Sequence, residues 1–201
     1  FVLMYLIGSR SPGLHLLPYH RMVGELPPQM IESALRELAK YFTIEQIPFT
    51  PKTLSLARAK LKQKVDSEGV KRPVFGLAIA GMSELLFLQL RKSVQVASLS
   101  PDRQSPPLKN LNVTILQYLV FQRILGLTQE HVFNQKNVGF FTDEDECFDL
   151  LHKKKFQLLF LLPAISIQTV FQIAKNGETM PQKSTNFYPK VPTGFVMRRM
   201  V

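Results

Sequence analysis

Two apolar runs separated by a short turn limit most strongly what this chain can fold into. The runs are Arg72 to Ala80 and Ser83 to Lys92, and Gly81-Met82 lies between them. Runs of this length suit strands better than helices, and a glycine in the connection favours a tight turn. We therefore predict a β-hairpin whose two strands are both at least half buried, which requires a covered sheet.

The other apolar patterns predict the elements around this hairpin. Further strands are predicted at Phe1 to Ile7 and Leu14 to Val23, which we expect to pair with each other, at Phe156 to Leu162 and at Gly194 to Met200. Helices are predicted after Pro27-Pro28 as far as Phe42, after Thr50-Pro51, from Asn110 or Asn112 to Gly126, after Thr142 and after Ser166. Hairpins followed by alternating helices and strands predict an α+β fold, with a mixed, largely antiparallel sheet covered by helices.

The chain is long enough to bury one substantial core, and we expect residues 1–201 to form a single unit. Its two halves are a hairpin-rich segment, 1–98, and a helix/strand-alternating segment, 110–201. A connector rich in proline and serine, 99–109, joins them. Because the sequence opens directly into an apolar run at Phe1, we interpret it as the C-terminal part of a larger protein.

Composition limits the cellular compartment and the chemical classes of partner that are expected for this protein. No apolar run approaches the roughly 20 residues of a membrane helix and no signal peptide is evident, so a cytoplasmic protein without membrane partners is predicted. The single cysteine, Cys147, and four scattered histidines predict no metal site. A net charge of +10 favours anionic partners: nucleic acid, phosphorylated metabolites or an acidic protein.

The predicted helix after Thr50-Pro51 carries several cations outside its apolar stripe: Lys52, Arg58, Lys60, Lys62 and Lys64. Such a face can track nucleic-acid phosphates, or it can be an ordinary solvated surface. Because no aromatic residues are interleaved with these cations, the solvated surface is the favoured interpretation.

The segment from Met180 to Lys190 is the densest in polar chemistry. It contains two prolines, two cations, two hydroxyls and two aromatic residues, and the prolines should make the loop stiff. Lys183, Ser184 and Thr185, with exposed backbone amides, can surround one phosphate, and Lys190 adds a second cation. The alternative is that the same groups only satisfy backbone groups within a turn.

A Walker nucleotide loop is rejected for this segment. Gly177 stands six places before Lys183, as a P-loop requires, but Gln182 occupies the position that needs glycine. Pro181 also removes a backbone donor from the same turn.

His20 and Arg21 are weaker candidates for the same anion site. Adjacent residues of a strand point to opposite faces, so we expect only one of the two to reach a given pocket. The pKa range of a histidine suits proton transfer, but no acidic partner for His20 can be identified from the sequence.

Several segments together resemble a conserved-hypothetical family, the domain of unknown function DUF1015. They are Leu17-Pro18-Tyr19-His20-Arg21, Ile124-Leu125-Gly126-Leu127, and Met180 through Lys190 followed by Pro192-Thr193-Gly194. Longer members of that family carry an upstream Gly-His-His-Arg box that is similar to the phosphate-binding box of ParB-like and sulfiredoxin-like nucleotide proteins. This chain lacks that box.

Charge, motif and resemblance lead to one functional hypothesis and two alternatives. We expect binding of a phosphorylated small molecule or nucleotide, as part of a small-molecule kinase, through Lys183, Ser184, Thr185 and Lys190 with His20 and Arg21 nearby. The alternatives are a non-enzymatic basic module that binds nucleic acid and an inactive fragment. The sequence predicts neither catalytic residues nor an oligomeric state, and a nucleotide is the one cofactor it suggests.

Overall fold

The protein is described here by a computed structural model covering residues 6–101, 103–133, 137–190 and 194. Its centre is a six-stranded sheet with the strand order β3-β5-β4-β7-β2-β6, and every pair of neighbours is antiparallel. A separate pair, β1 with β8, is also antiparallel. The strands are β1 (His15–Leu17), β2 (His20–Val23), β3 (Phe42–Pro48), β4 (Val74–Ile79), β5 (Glu84–Leu90), β6 (Val138–Phe141), β7 (Leu158–Leu161) and β8 (Asn186–Tyr188).

Helices cover both faces of the sheet. They are α1 (Pro28–Tyr41), α2 (Leu54–Gly69), α3 (Pro106–Lys109), α4 (Asn112–Ile115), α5 (Gln129–Phe133), α6 (Glu144–His152) and α7 (Ile167–Lys175), and a π-helical segment, Leu116–Ile124, continues α4. Side chains of α2 and α6 pack on one face around Met22 and Leu159, while α1 and the α4/π-helical segment pack on the other around Phe75 and Phe160. The predicted α+β class is confirmed.

The hairpin predicted from the two apolar runs is confirmed. It is formed by β4 and β5, with Leu77 opposite Leu86, and all six residues of β4 are buried. Gly81 lies in the connecting turn at a φ of 84°, a conformation that a side chain would disfavour. The sequence shows a continuous apolar run here because both faces of the strand are covered.

The predicted strand Leu14 to Val23 is wrong as a single element. It is divided at Pro18-Tyr19 into β1, which pairs with β8, and β2, which has β7 on one side and β6 on the other. Both edges of β2 are therefore occupied by strands other than the predicted partner, Phe1 to Ile7. Residues 1–5 lie outside the described part of the chain.

Three strands, β3, β6 and β8, are missing from the sequence-based prediction. β3 begins at Phe42, where the predicted helix ends, and pairs with β5 along its whole length. β6 is a four-residue edge strand. Asp143, not Thr142, caps α6, where its side chain accepts hydrogen bonds from the amides of Asp145 and Glu146.

The predicted strand Gly194 to Met200 lies, apart from Gly194, outside the described residues. Within the part of the chain that the structure describes, no helix is both long and apolar enough to cross a membrane.

Candidate functional site

Arg21 holds the Met180–Lys190 loop against the start of β2. Its buried guanidinium donates to the carbonyl oxygens of Tyr19 (2.7 Å), Gln182 (3.2 Å) and Lys183 (2.8 Å). The same group lies 4.4 Å from the ring centroid of Phe140. Burial lowers the pKa of Arg21 to about 9, which leaves the group charged at neutral pH. A charged donor thus fixes a loop that is 162 residues away in the chain.

Lys183 is the residue of this loop with the most unusual backbone. Its φ is 55°, in the left-handed region, which costs a non-glycine residue roughly 1–2 kcal/mol. Its ammonium is exposed and lies 5.6 Å from the ring centroid of Tyr19. No carboxylate of the described residues lies within 4.0 Å of this nitrogen. Glycine would adopt this backbone conformation without strain. A lysine at this position therefore adds its side chain at the cost of that strain.

The remaining predicted residues of the loop differ in how available they are. Ser184 is buried, and its hydroxyl donates to the carbonyl oxygen of Pro181, so it closes the turn as the structural alternative anticipated. Thr185 is half-buried and Lys190 is exposed. Lys183, Ser184 and Thr185 follow one another along the loop, but no contact among the described residues joins Lys190 to them.

A cleft of about 430 Å³ borders the loop on the side of Pro181 and Gln182. Besides these two residues it is lined by Gln104, Gln117, Tyr118, Glu130, Val132, Thr179 and Met180. The side-chain amide of Gln104 donates to the hydroxyl of Tyr118 at 3.3 Å. The volume and the mixture of amide, phenol and apolar groups suit a small organic ligand.

His20 lies on the opposite face of the sheet from Arg21, as expected for neighbouring residues of a strand, so only Arg21 lies beside the Met180–Lys190 loop. Its Nδ1 accepts from the amide of Leu162 at 3.2 Å, and its Nε2 lies 3.8 Å from the Oε1 of Glu144. Burial lowers the pKa of His20 to about 4, against a smaller raising effect of the Glu144 carboxylate. His20 is therefore neutral at pH 7.

The sequence pattern did not indicate that Glu144 faces His20 or that Lys62 pairs with Glu144. The ammonium of Lys62 lies 2.6 Å from the Oε1 of Glu144. Glu144 is on α6 and Lys62 is on α2, and only the packing of both helices on one face of the sheet places them beside β2. Acidic residues in a first helical turn are accounted for by the helix dipole, so the acidic first turn of α6 gives no signal of a partner.

The basic face of α2 is largely engaged within the protein. Arg58 pairs with Asp145 at 2.5 Å and stacks on Phe148, and Lys64 pairs with Glu45. Lys62 is bound to Glu144. Among the described residues, Lys52 and Lys60 are the exposed cations of this face that form no ion pair. With these ion pairs closed, this face offers Lys52 and Lys60 to nucleic-acid phosphates.

The described residues contain no group of three His, Cys, Asp or Glu side chains arranged to hold a metal ion. Cys147 is buried under α6, and burial raises the pKa of its thiol to about 12, with the carboxylates of Glu146 and Glu144 adding to the effect. The thiol therefore stays protonated at neutral pH and packs as a small apolar side chain.

Comparison with known proteins gives a family and several matching solved structures. The family model described as a protein of unknown function, DUF1015, matches residues 1–168. Nothing among the curated proteins matches.

Three solved structures match this chain weakly over most of its length. A conserved hypothetical protein from Pyrococcus furiosus matches with a TM-score of 0.49 and 13% identity, over 94% of this chain and 62% of that chain. A free serine kinase in complex with AMP matches with a TM-score of 0.46 and 12% identity, over 90% and 56%. A variant of a free serine kinase in complex with ADP matches with a TM-score of 0.47 and 12% identity, over 91% and 57%. This chain thus spans 56% to 62% of the length of these proteins.

Proposed function

This chain belongs to the DUF1015 family of proteins of unknown function, and from that premise we propose that it binds a phosphorylated small molecule or a nucleotide at the Met180–Lys190 loop. The observation that carries the proposal is the geometry of Lys183. An exposed ammonium sits on a backbone conformation that glycine would adopt more easily, while the carbonyl of the same residue is bound by Arg21. This arrangement holds a cation in place before a ligand arrives.

The donors for the phosphate come from one rigid turn. The ammonium of Lys183 provides the charge, and the hydroxyl of half-buried Thr185 and the ammonium of Lys190 lie further along the loop. The backbone amides of Gln182 and Lys183 donate to no backbone or side-chain acceptor among the described residues. Donors that are already placed bind an anion more strongly than donors that must be ordered on binding.

Arg21 has a positioning role in this proposal. Its guanidinium donates to the carbonyls of Gln182 and Lys183 and is buried, so it orients the loop and does not face an incoming phosphate. Ser184 acts in the same way through its bond to Pro181.

The uncharged part of the ligand fits the adjoining cleft. Gln104, Gln117 and Tyr118 offer amide and phenol groups to the polar edge of a base or a comparable ring, and Met180 and Val132 offer apolar contact. A cleft of about 430 Å³ is within the usual range for a ligand of nucleotide size. Used as a phosphoryl donor, a nucleotide in this cleft would make the intact protein a small-molecule kinase.

Isothermal titration with ATP, ADP, AMP and inorganic phosphate tests the proposal. We expect saturable binding of at least one of these ligands, and about tenfold weaker binding by Lys183→Ala, because one charge-assisted hydrogen bond to phosphate contributes about 1.5–3 kcal/mol. Lys60→Ala is the matched control, since it removes an exposed lysine from α2 on the other face of the sheet.

Two results would contradict the proposal: no binding of any of the four ligands, or equal affinities for Lys183→Ala and the unmodified protein. Steeply salt-dependent binding of DNA or RNA that Lys60→Ala weakens and Lys183→Ala does not would favour the nucleic-acid alternative instead. The kinase step is checked separately by the ATP-dependent release of ADP when candidate acceptors are added.

A further inference from the structure

A second polar cluster lies on the other face of the sheet, where β2, α2 and α6 meet. It consists of His20, Glu144 and Lys62. The side chain of His20 is only 3% exposed and that of Glu144 is 20% exposed. Because Nδ1 of His20 accepts the amide hydrogen of Leu162, the hydrogen of the neutral ring is on Nε2. Nε2 is therefore a donor, and it faces the carboxylate of Glu144.

The distance between this donor and its facing acceptor is too long for a hydrogen bond. Nε2 of His20 and Oε1 of Glu144 are 3.8 Å apart. A single oxygen atom beside them can lie about 2.8 Å from each, accepting from Nε2 and donating to Oε1. Only an oxygen that both accepts and donates satisfies the two groups, which means a hydroxyl or a water and excludes a carbonyl or an ionised phosphate.

Two members of the cluster are reached from the surface, and His20 lies directly behind Glu144. Glu144 and Lys62 line an open depression of about 500 Å³, together with Arg58, Thr142, Asp143 and Asp145. Both of its cations are paired, Lys62 with Glu144 and Arg58 with Asp145, and Asp143 adds a third carboxylate that caps α6. Such a lining disfavours an anion, and the need for an oxygen that both accepts and donates selects a hydroxyl.

We propose that this depression is a second ligand site, which takes a hydroxyl group of a small uncharged molecule such as an alcohol or a sugar. Nε2 of His20 donates to the hydroxyl oxygen, and Glu144 accepts the hydroxyl hydrogen. The ammonium of Lys62, bonded to the same carboxylate oxygen, holds the side chain of Glu144 in place. The site is independent of Lys183, because His20 and Arg21 point to opposite faces of the sheet.

Nuclear magnetic resonance of the histidine ring nitrogens tests the proposal directly. Glycerol, D-glucose and myo-inositol are titrated in turn into the full chain while the Nε2 resonance of His20 is followed. We expect a saturable shift with at least one of these probes. In Glu144→Ala the same probe should bind about tenfold more weakly or not at all, because a hydrogen bond to a charged acceptor is lost.

Glu146→Ala is the matched control, since it removes an exposed carboxylate from the same helix without changing the depression. It should bind the probe as the unmodified protein does, and so should Lys183→Ala, which separates this proposal from the anion site. Amide spectra establish that each variant is folded. If Glu144→Ala fails to fold, Glu144→Gln replaces it and should bind severalfold more weakly.

Three results would overturn the proposal. One is the absence of a saturable shift with all three probes up to their solubility limits. Another is a shift that persists unchanged when Glu144 is replaced. The third is a crystal structure grown with a probe in which only a water bridges His20 and Glu144.

Discussion

The buried neutral His20 predicts that the protein loses stability in mild acid. The pKa of His20 is lowered by burial from 6.5 to about 4 in the folded protein. Between these two pH values the unfolded chain binds a proton that the folded chain does not. The free energy of unfolding must therefore fall as the pH falls from about 6.5 to about 4.

The size of the effect follows from the interval between the two pKa values. At about 1.4 kcal/mol per pH unit, it corresponds to about 3 kcal/mol across the whole window. This contribution needs no discount for solvent screening, because the side chain of His20 is 97% removed from water, with 3% exposed. It is a large part of the stability of a typical domain.

Urea unfolding at pH 7 and at pH 4.5, followed by circular dichroism, measures the loss. Carboxylates also titrate in this range, so the test is a comparison with His20→Asn, whose amide oxygen can still accept from the amide of Leu162. The variant should lose about 2–3 kcal/mol less than the unmodified protein over this interval. His15→Asn, at an exposed position, is the control and should behave as the unmodified protein. Equal pH dependence of His20→Asn and the unmodified protein would refute the reasoning.

Two substitutions test how the loop and the edge strand are held. Arg21→Met removes the donor to three carbonyl oxygens and should lower the free energy of unfolding by about 3 kcal/mol. Arg36→Met, at an exposed position, should leave it unchanged within about 0.5 kcal/mol. Urea unfolding measures both, and a loss below about 1 kcal/mol for Arg21→Met would contradict the role of Arg21 in holding the loop. Gly139→Ala places a methyl group 2.5 Å from the ring of Phe141 and 2.9 Å from that of Phe156. It should cost about 1–2 kcal/mol in the same assay, and an unchanged midpoint would show that the two rings move freely.

The sequence predicted those parts of the fold that depend on local pattern. The β4–β5 hairpin and the strand β7 were found because each is a continuous apolar run. β3 was missed because Phe42 continues the apolar spacing of α1, although the chain turns into an extended strand at that residue. The division of Leu14–Val23 was missed because the partner of β1 is β8, at the other end of the chain, and no local pattern records such a pairing.

The candidate site shows the same limit. The composition of the sequence pointed to Lys183 and its loop. It did not show that the guanidinium of Arg21 would bind the carbonyl oxygens of that loop. It could not find Glu144 as the acidic group facing His20, because the two meet only through the packing of α6 against β2. Residue type and spacing reveal which groups are chemically capable, whereas long-range packing decides which of them face each other.

The position of β2 between β7 and β6 also determines when this protein can fold during its synthesis. β2 ends at Val23, whereas β6 begins at Val138 and β7 at Leu158. At a translation rate of roughly 5–20 residues per second, the ribosome needs on the order of ten seconds to deliver the flanking strands. During that interval β2 has neither of its neighbouring strands, so release of the early half before they emerge would leave unpaired strand edges open to aggregation.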